Sequence, residues 1–96
     1  MIRSGTVWCG TESPGWNLDS GFGDRTFRAL DVTFDTPFEV PPTVLLALGG
    51  IDSAHWTNLR VVAEAYDIEP GEFSIRVRTW DDTIVYNVQI AWLAHD

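Results

Sequence analysis

The sequence predicts a single all-β domain built as an antiparallel sandwich of about six strands. Apolar and polar residues alternate with period two over several short runs. Turn-forming residues separate those runs at short intervals. No segment carries the 3.6-residue apolar period of an amphipathic helix. The 96 residues suffice for one modest core spanning 1–96, and 45% hydrophobic with 21% charged residues is a globular composition.

Each element follows from its own residues. An early strand covers about Gly5 to Cys9. Residues 10–27 scatter Gly10, Gly15, Gly21, Gly23 and Pro14 among polar residues with Trp16 and Phe22, which predicts a long irregular loop. Loops of that length in small domains are usually functional or disordered. From Arg28 to Asp35, Leu30, Val32 and Phe34 point inward, with Asp31, Thr33 and Asp35 outward. Pro41-Pro42 interrupts pairing because proline lacks the donor N–H. Thr43 to Leu48 is nearly continuous apolar sequence and predicts a strand buried on both faces, ended by Gly49-Gly50.

Leu59 to Tyr66 gives the clearest alternation: Leu59, Val61, Ala63 and Ala65 on one face, Arg60, Val62, Glu64 and Tyr66 on the other. Pro70-Gly71 suits the centre of a type II turn. Glu72 to Trp80 places Phe73, Ile75 and Val77 inward, and Asp81-Asp82 breaks the strand. The last strand, Thr83 to about Ala94, places Ile84, Tyr86, Val88, Ile90 and Trp92 on one large apolar face, predicted to be mostly core.

Charge and cysteine content narrow the function. The net charge is −8, there is no lysine, and every formal cation is an arginine. Such a surface repels phosphate backbones and anionic lipid, so nucleic-acid and membrane-surface partners are set aside. No apolar run approaches the roughly 20 residues needed to span a bilayer. The N-terminal residues lack the apolar stretch of a secretion signal, which leaves a cytoplasmic location, a removed leader or another export route open. A lone Cys9 makes neither an internal disulfide nor a structural metal site, so it reads as a buried thiol.

Enzymatic signatures are missing. Asp81 and Asp82 are adjacent, and neighbours on a strand point to opposite faces, so they do not share one reacting atom. A glycosidase needs carboxyls facing across a cleft. The sequence shows no nucleophile triad, phosphate loop or metal-ligand cluster. Trp80, between a strand end and a polar turn, is either a rim aromatic of the core or a platform for the apolar face of a pyranose. In the second case neighbouring acids accept from sugar hydroxyls. Arg60 is either one half of a strand ion pair, with Glu64 or Asp52, or a ligand donor.

The ordered set Pro41-Pro42-Thr43-Val44-Leu45-Leu46, Ile51-Asp52, Asn58-Leu59-Arg60-Val61, Pro70-Gly71-Glu72-Phe73, Thr79-Trp80-Asp81-Asp82-Thr83-Ile84-Val85-Tyr86 and Ile90-Ala91-Trp92-Leu93-Ala94 resembles the H-type lectin domain. That domain is found in snail agglutinins and the C-terminal part of discoidins. Arg3-Ser4-Gly5, Cys9-Gly10 and Gly15-Trp16 resemble the start of the snail proteins.

The resemblance implies a non-enzymatic sandwich. Three copies associate side by side through their sheets, with carbohydrate sites between protomers. Terminal N-acetylgalactosamine or galactose is the implied ligand, bound without metal or cofactor. Arg60, Trp80 and Tyr86 match sugar-contacting positions, and Asp81 stands where a snail agglutinin has a contacting histidine. Gly21-Phe22-Gly23-Asp24-Arg25 matches the loop that carries the family's key aspartate. Gly23 and Asp24 fall on it with a one-residue shift, whereas gap-free counting from Arg28 puts Arg25 there.

In this resemblance Arg60 anchors ligand and pairs with Asp24 or Asp52. Asp81 and Tyr86 reach the sugar from one protomer while Arg60 and Trp80 act from its neighbour, or the reverse. The partner of Cys9 in the snail intradomain disulfide falls at Val77, and the cysteine that joins two trimers falls at Glu39. Any hexamer is therefore non-covalent. Glycan binding implies an extracellular or cell-surface location, while the unpaired cysteine is also compatible with a reducing cytoplasm. The alternative is a trimerisation or adhesion module whose sugar site has degenerated.

Overall fold

The computed structural model describes the backbone of residues 1–96 and every side chain except that of Ala29. The elements are β1 (Ile2–Gly10), β2 (Arg25–Thr33), β3 (Thr43–Ser53), β4 (Val62–Tyr66), β5 (Glu72–Thr79) and β6 (Val85–His95). They form two three-stranded sheets in the orders β1-β6-β3 and β2-β5-β4, and every pairing is antiparallel. The antiparallel all-β sandwich is the class the alternation predicts.

The core forms where the inward residues of the two central strands meet. Phe73, Ile75 and Val77 of β5 and Val85, Val88 and Ile90 of β6 are fully buried. Each such side chain contributes about 1.5–3 kcal/mol by leaving water. Towards one end Phe34, Phe38, Phe73 and Trp92 form a connected aromatic cluster, with ring centroids 5.0 to 5.9 Å apart. Gly5 pairs with Trp92, and a Cβ there would stand 2.8 Å from the indole, so only glycine lets β1 pass.

Five local expectations are corrected. β3 is an edge strand buried on one face only: Val44 and Leu46 turn inward, while Leu45 is 57% exposed and Ala47 is open. A continuous apolar run on an edge strand has only one sheet face to bury in a single chain. β3 also continues through Gly49-Gly50 to Ser53, because a bulge between Leu48 and Gly50 absorbs the irregularity.

β6 changes phase at its start. The register passes from Asp52↔Asn87 to Ser53↔Val85, leaving Tyr86 as the extra residue of a bulge. Val85 therefore takes the core position expected of Ile84 and Tyr86, which are only half-buried. Uninterrupted alternation cannot reveal a one-residue bulge.

β4 begins at Val62, not Leu59, since residues 59–61 are drawn into the preceding loop. Finally, Pro70-Gly71 does not form a type II turn. The left-handed residue of that connection is Asp67, at φ 49°. Residues 70 and 71 are instead held by backbone bonds from Phe38 to Pro70 O (2.8 Å) and from Phe34 to Gly71 O (3.0 Å).

The outer faces of the two sheets differ in chemistry. That of β2-β5-β4 is charged: Glu64 accepts from Arg78 (2.6 Å) and Arg76 (3.4 Å), and Ser74 donates to Asp31 (2.7 Å). The Arg76 guanidinium also lies 4.9 Å over the Tyr66 ring. That of β1-β6-β3 presents Ile2, Ser4, Thr6 and Trp8, then Gln89, Ala91 and Leu93, then Leu45 and Ala47. A shallow groove of about 290 Å³ runs along it, lined by Leu45, Ala47, Ala91 and Leu93 among others.

Candidate functional site

The β5–β6 turn is the centre of the candidate site. Trp80 ends the strand run and is 38% exposed. Asp81 follows in the left-handed region at φ 59°, which aspartate tolerates better than most side chains. Its carbonyl is held by the Gly23 N–H (3.0 Å) and an Arg25 Nη2 (2.9 Å). The turn and the 21–25 loop are thereby joined at the backbone.

Arg25 makes that junction rigid. It is only 8% exposed, and its other donors reach Gly23 O (3.1 Å), Ser20 O (2.9 Å) and Leu18 O (3.4 Å). A buried guanidinium needs its donors satisfied. Here the carbonyls of one loop and one turn surround it. Leu18 is fully buried and its carbonyl accepts from Val85 N (2.8 Å). Trp16 donates from Nε1 to Val85 O (3.0 Å) and packs on Phe27 at 5.0 Å. The long loop is thus a pinned cover over the start of β6.

Asp24, beside Arg25, is exposed. The structure therefore separates the two candidates: Arg25, the first residue of β2, is a buried clamp, and Asp24 offers an exposed carboxylate. β2 also carries one extra residue between Phe27 and Leu30, where its register on β5 slips.

Arg60 pairs with neither Asp24, Asp52 nor Glu64, correcting every partner expected from the sequence. Its Nη1 donates to Asp82 Oδ1 (2.9 Å) and Thr83 Oγ1 (3.1 Å), and its Nη2 stands 3.9 Å from Asp81 Oδ2. The Arg60 carbonyl accepts from buried Thr79, and Thr83 Oγ1 donates to Asn58 O (2.6 Å). Arg60 is held at both its backbone and its head, while the Asp81 and Asp82 side chains remain about half exposed. One chain thus gathers Trp80, Asp81, Arg60, Gly23 and the Asp24 loop at one end of the sandwich. This corrects the grouping that put Asp81 and Arg60 on different protomers: their charged groups face each other within one.

Tyr86 stands apart from this hydrogen-bond network. It is the bulged residue of β6, half-buried beside Asn87, and its carbonyl accepts from Thr11 N (2.9 Å). Its chain neighbour Asn87 pairs with Gly10 of β1 and Asp52 of β3. Sequence reasoning missed Asp82 as the main partner of Arg60, Arg25 as a clamp, and Trp56, which is 64% exposed in the 54–61 loop. Only Trp56 left a legible signal, an aromatic amid polar loop residues.

Cys9 is buried and free, and burial pushes its thiol up to about 11. Among the described residues no group of three or more His, Cys, Asp or Glu is placed to hold a metal ion. Among those residues no helix is long and apolar enough to cross a membrane.

Comparison with known proteins places these features in a family. The H-type lectin domain matches residues 29–95. The ORF 7 product of the ATP synthase subunits region of Fuscovulum blasticum is 41% identical over 80 residues, which is 83% of this chain and 69% of that protein. Among solved structures, recombinant discoidin II of Dictyostelium discoideum superposes with a TM-score of 0.85 at 25% identity over 98% of this chain. The wild-type form gives 0.84 at the same identity. The chain spans 36% and 35% of those discoidin II chains, about a third of their length. A family match over most of the chain, joined to the same sandwich in discoidin II, shows that this chain belongs to the H-type lectin domain family.

Proposed function

We propose that the protein is a multivalent lectin that binds terminal N-acetylgalactosamine or galactose-type sugars at sites between protomers of a trimer. Family membership supports carbohydrate binding in general, and the turn at Trp80-Asp81 is the observation that carries the finer reading. There two half-exposed carboxylates meet a fixed guanidinium, next in the chain to an exposed tryptophan. An indole stacks on the apolar face of a pyranose, carboxylates accept from hydroxyls, and Arg60 donates. Asp24 and Gly23 contribute from the loop clamped to the same turn. The exposure of Asp24, set against the burial of Arg25, supports the reading that puts Asp24, not Arg25, at the family's aspartate.

Trimer formation is supported by the outer face of β1-β6-β3. Apart from Asp52 at its end, that face carries no formally charged residue, although the chain has 20 of them. An uncharged sheet face that exposes Ile2, Trp8 and Leu45 suits association with another chain. Seating a second copy there buries Leu45 on the face that a single chain leaves open. Tyr86, at the rim, then adjoins both the interface and the Arg60 turn. Three sites on one face convert weak single-site binding into avidity for a glycan-bearing surface, in an extracellular or cell-surface setting.

A second reading is an assembly module with a degenerate sugar site. Asp81 in place of the snail histidine favours it, because Asp81 and Asp82 already neutralise Arg60. A glycan array at neutral pH separates the two. The lectin reading expects galactose-type termini to be bound and Trp80→Ala to lose them. An array blank for both proteins, with the trimer intact, favours the assembly module.

A further inference from the structure

We propose that Trp56 forms a second stacking platform beside the Arg60–Trp80 site and takes the sugar ring next to the terminal one. The protein would then prefer an oligosaccharide to a free monosaccharide. This inference rests on the lectin reading above and extends its ligand by one ring.

The 54–61 loop carries the argument. It is tied to the site on both sides of Trp56: Ala54 N donates to Ile84 O (3.0 Å), and Asn58 O accepts from Thr83 Oγ1 (2.6 Å). Trp56 lies two residues from each tie, and two residues of chain span at most about 7 Å. Thr83 in turn bonds Arg60, which pairs with Asp82 and Asp81. Trp56 therefore adjoins the same turn that presents Trp80.

The indole is also oriented. The His55 ring meets it edge-on, with centroids 5.0 Å apart and planes at 85°, while the residue stays 64% exposed. A large aromatic left in water offers an apolar face on which a sugar ring can stack. Trp56 lies three residues past the end of β3, outside the strands that form the apolar sheet face.

Wild type and Trp56→Ala are titrated calorimetrically with N-acetylgalactosamine and with a trisaccharide that ends in it, and their masses are measured by light scattering. The expected result is a five- to tenfold tighter binding of the trisaccharide in wild type, about the scale of one aromatic stacking contact. That preference is lost in Trp56→Ala, kept largely in Trp56→Phe, and accompanied by unchanged monosaccharide affinity and mass. Equal wild-type affinity for both sugars overturns the proposal. So does a variant that weakens both sugars alike or changes the assembly mass, which would make Trp56 a structural residue. A wild type that binds neither sugar removes the lectin reading itself, an outcome distinct from equal binding of both.

Discussion

Arg60 shows how a residue's partner, more than its type, fixes what it does. Its head is shared between Asp82, Thr83 and Asp81, so removing it leaves two carboxylates without their cation and takes away a charged donor. Hydrogen bonds to charged groups are worth about 1.5–3 kcal/mol. Arg60→Ala is expected to weaken sugar binding at least about tenfold while far-UV circular dichroism stays that of the wild type. Arg60→Lys would recover only part, because a point charge does not reproduce the guanidinium fork. Cys9 makes the opposite case. Burial raises its thiol from 9.0 to about 11, so the folded protein keeps its proton where the unfolded chain loses it. Stability from this group is therefore intact below pH 9 and falls as pH rises from 9 towards about 11. Alkylation by iodoacetamide at neutral pH should be negligible in the native protein and complete after unfolding in urea.

At the scale of the element, the central strands β5 and β6 hold the site in place. β5 reads correctly from sequence because its inward residues alternate without a break, and Phe73, Ile75 and Val77 are all fully buried. Phe73→Ala is expected to cost about 3–5 kcal/mol in urea unfolding. β6 reads correctly only from Val88 onward. Its bulge at Tyr86 and the slips in β2 and β3 are products of pairing between distant strands, and no local pattern encodes them. The same holds for Arg25 and Asp82. Their partners are loop carbonyls and a guanidinium brought near by tertiary contacts, whereas the motif at Trp80-Asp81 was visible as contiguous sequence. Gly10 tests the bulge directly: a Cβ there would meet the Tyr86 carbonyl at 2.5 Å and the Asn87 side chain. Gly10→Ala should destabilise by about 1–3 kcal/mol, the usual range for overpacking.

On the scale of the whole molecule, the two outer faces divide the labour. The charged face of β2-β5-β4 suits water, with Glu64 held below the usual carboxylate range by its bonds to Arg78 and Arg76. The face of β1-β6-β3, uncharged but for Asp52 at its end, is the one proposed for assembly. Leu45→Glu, which puts a charge in the middle of that face, should turn a trimer into a folded monomer in light scattering and weaken binding to multivalent glycan surfaces. The proposed lectin site is the turn around Trp80 and Arg60, with a galactose-type sugar as ligand of the assembled protein. Calorimetric titration of the wild-type assembly with N-acetylgalactosamine, beside Trp80→Ala at matched mass, is the decisive measurement. Saturable binding at one site per chain, lost in Trp80→Ala, is the predicted result. A flat wild-type titration in an intact assembly, or binding that Trp80→Ala leaves unchanged, would contradict it.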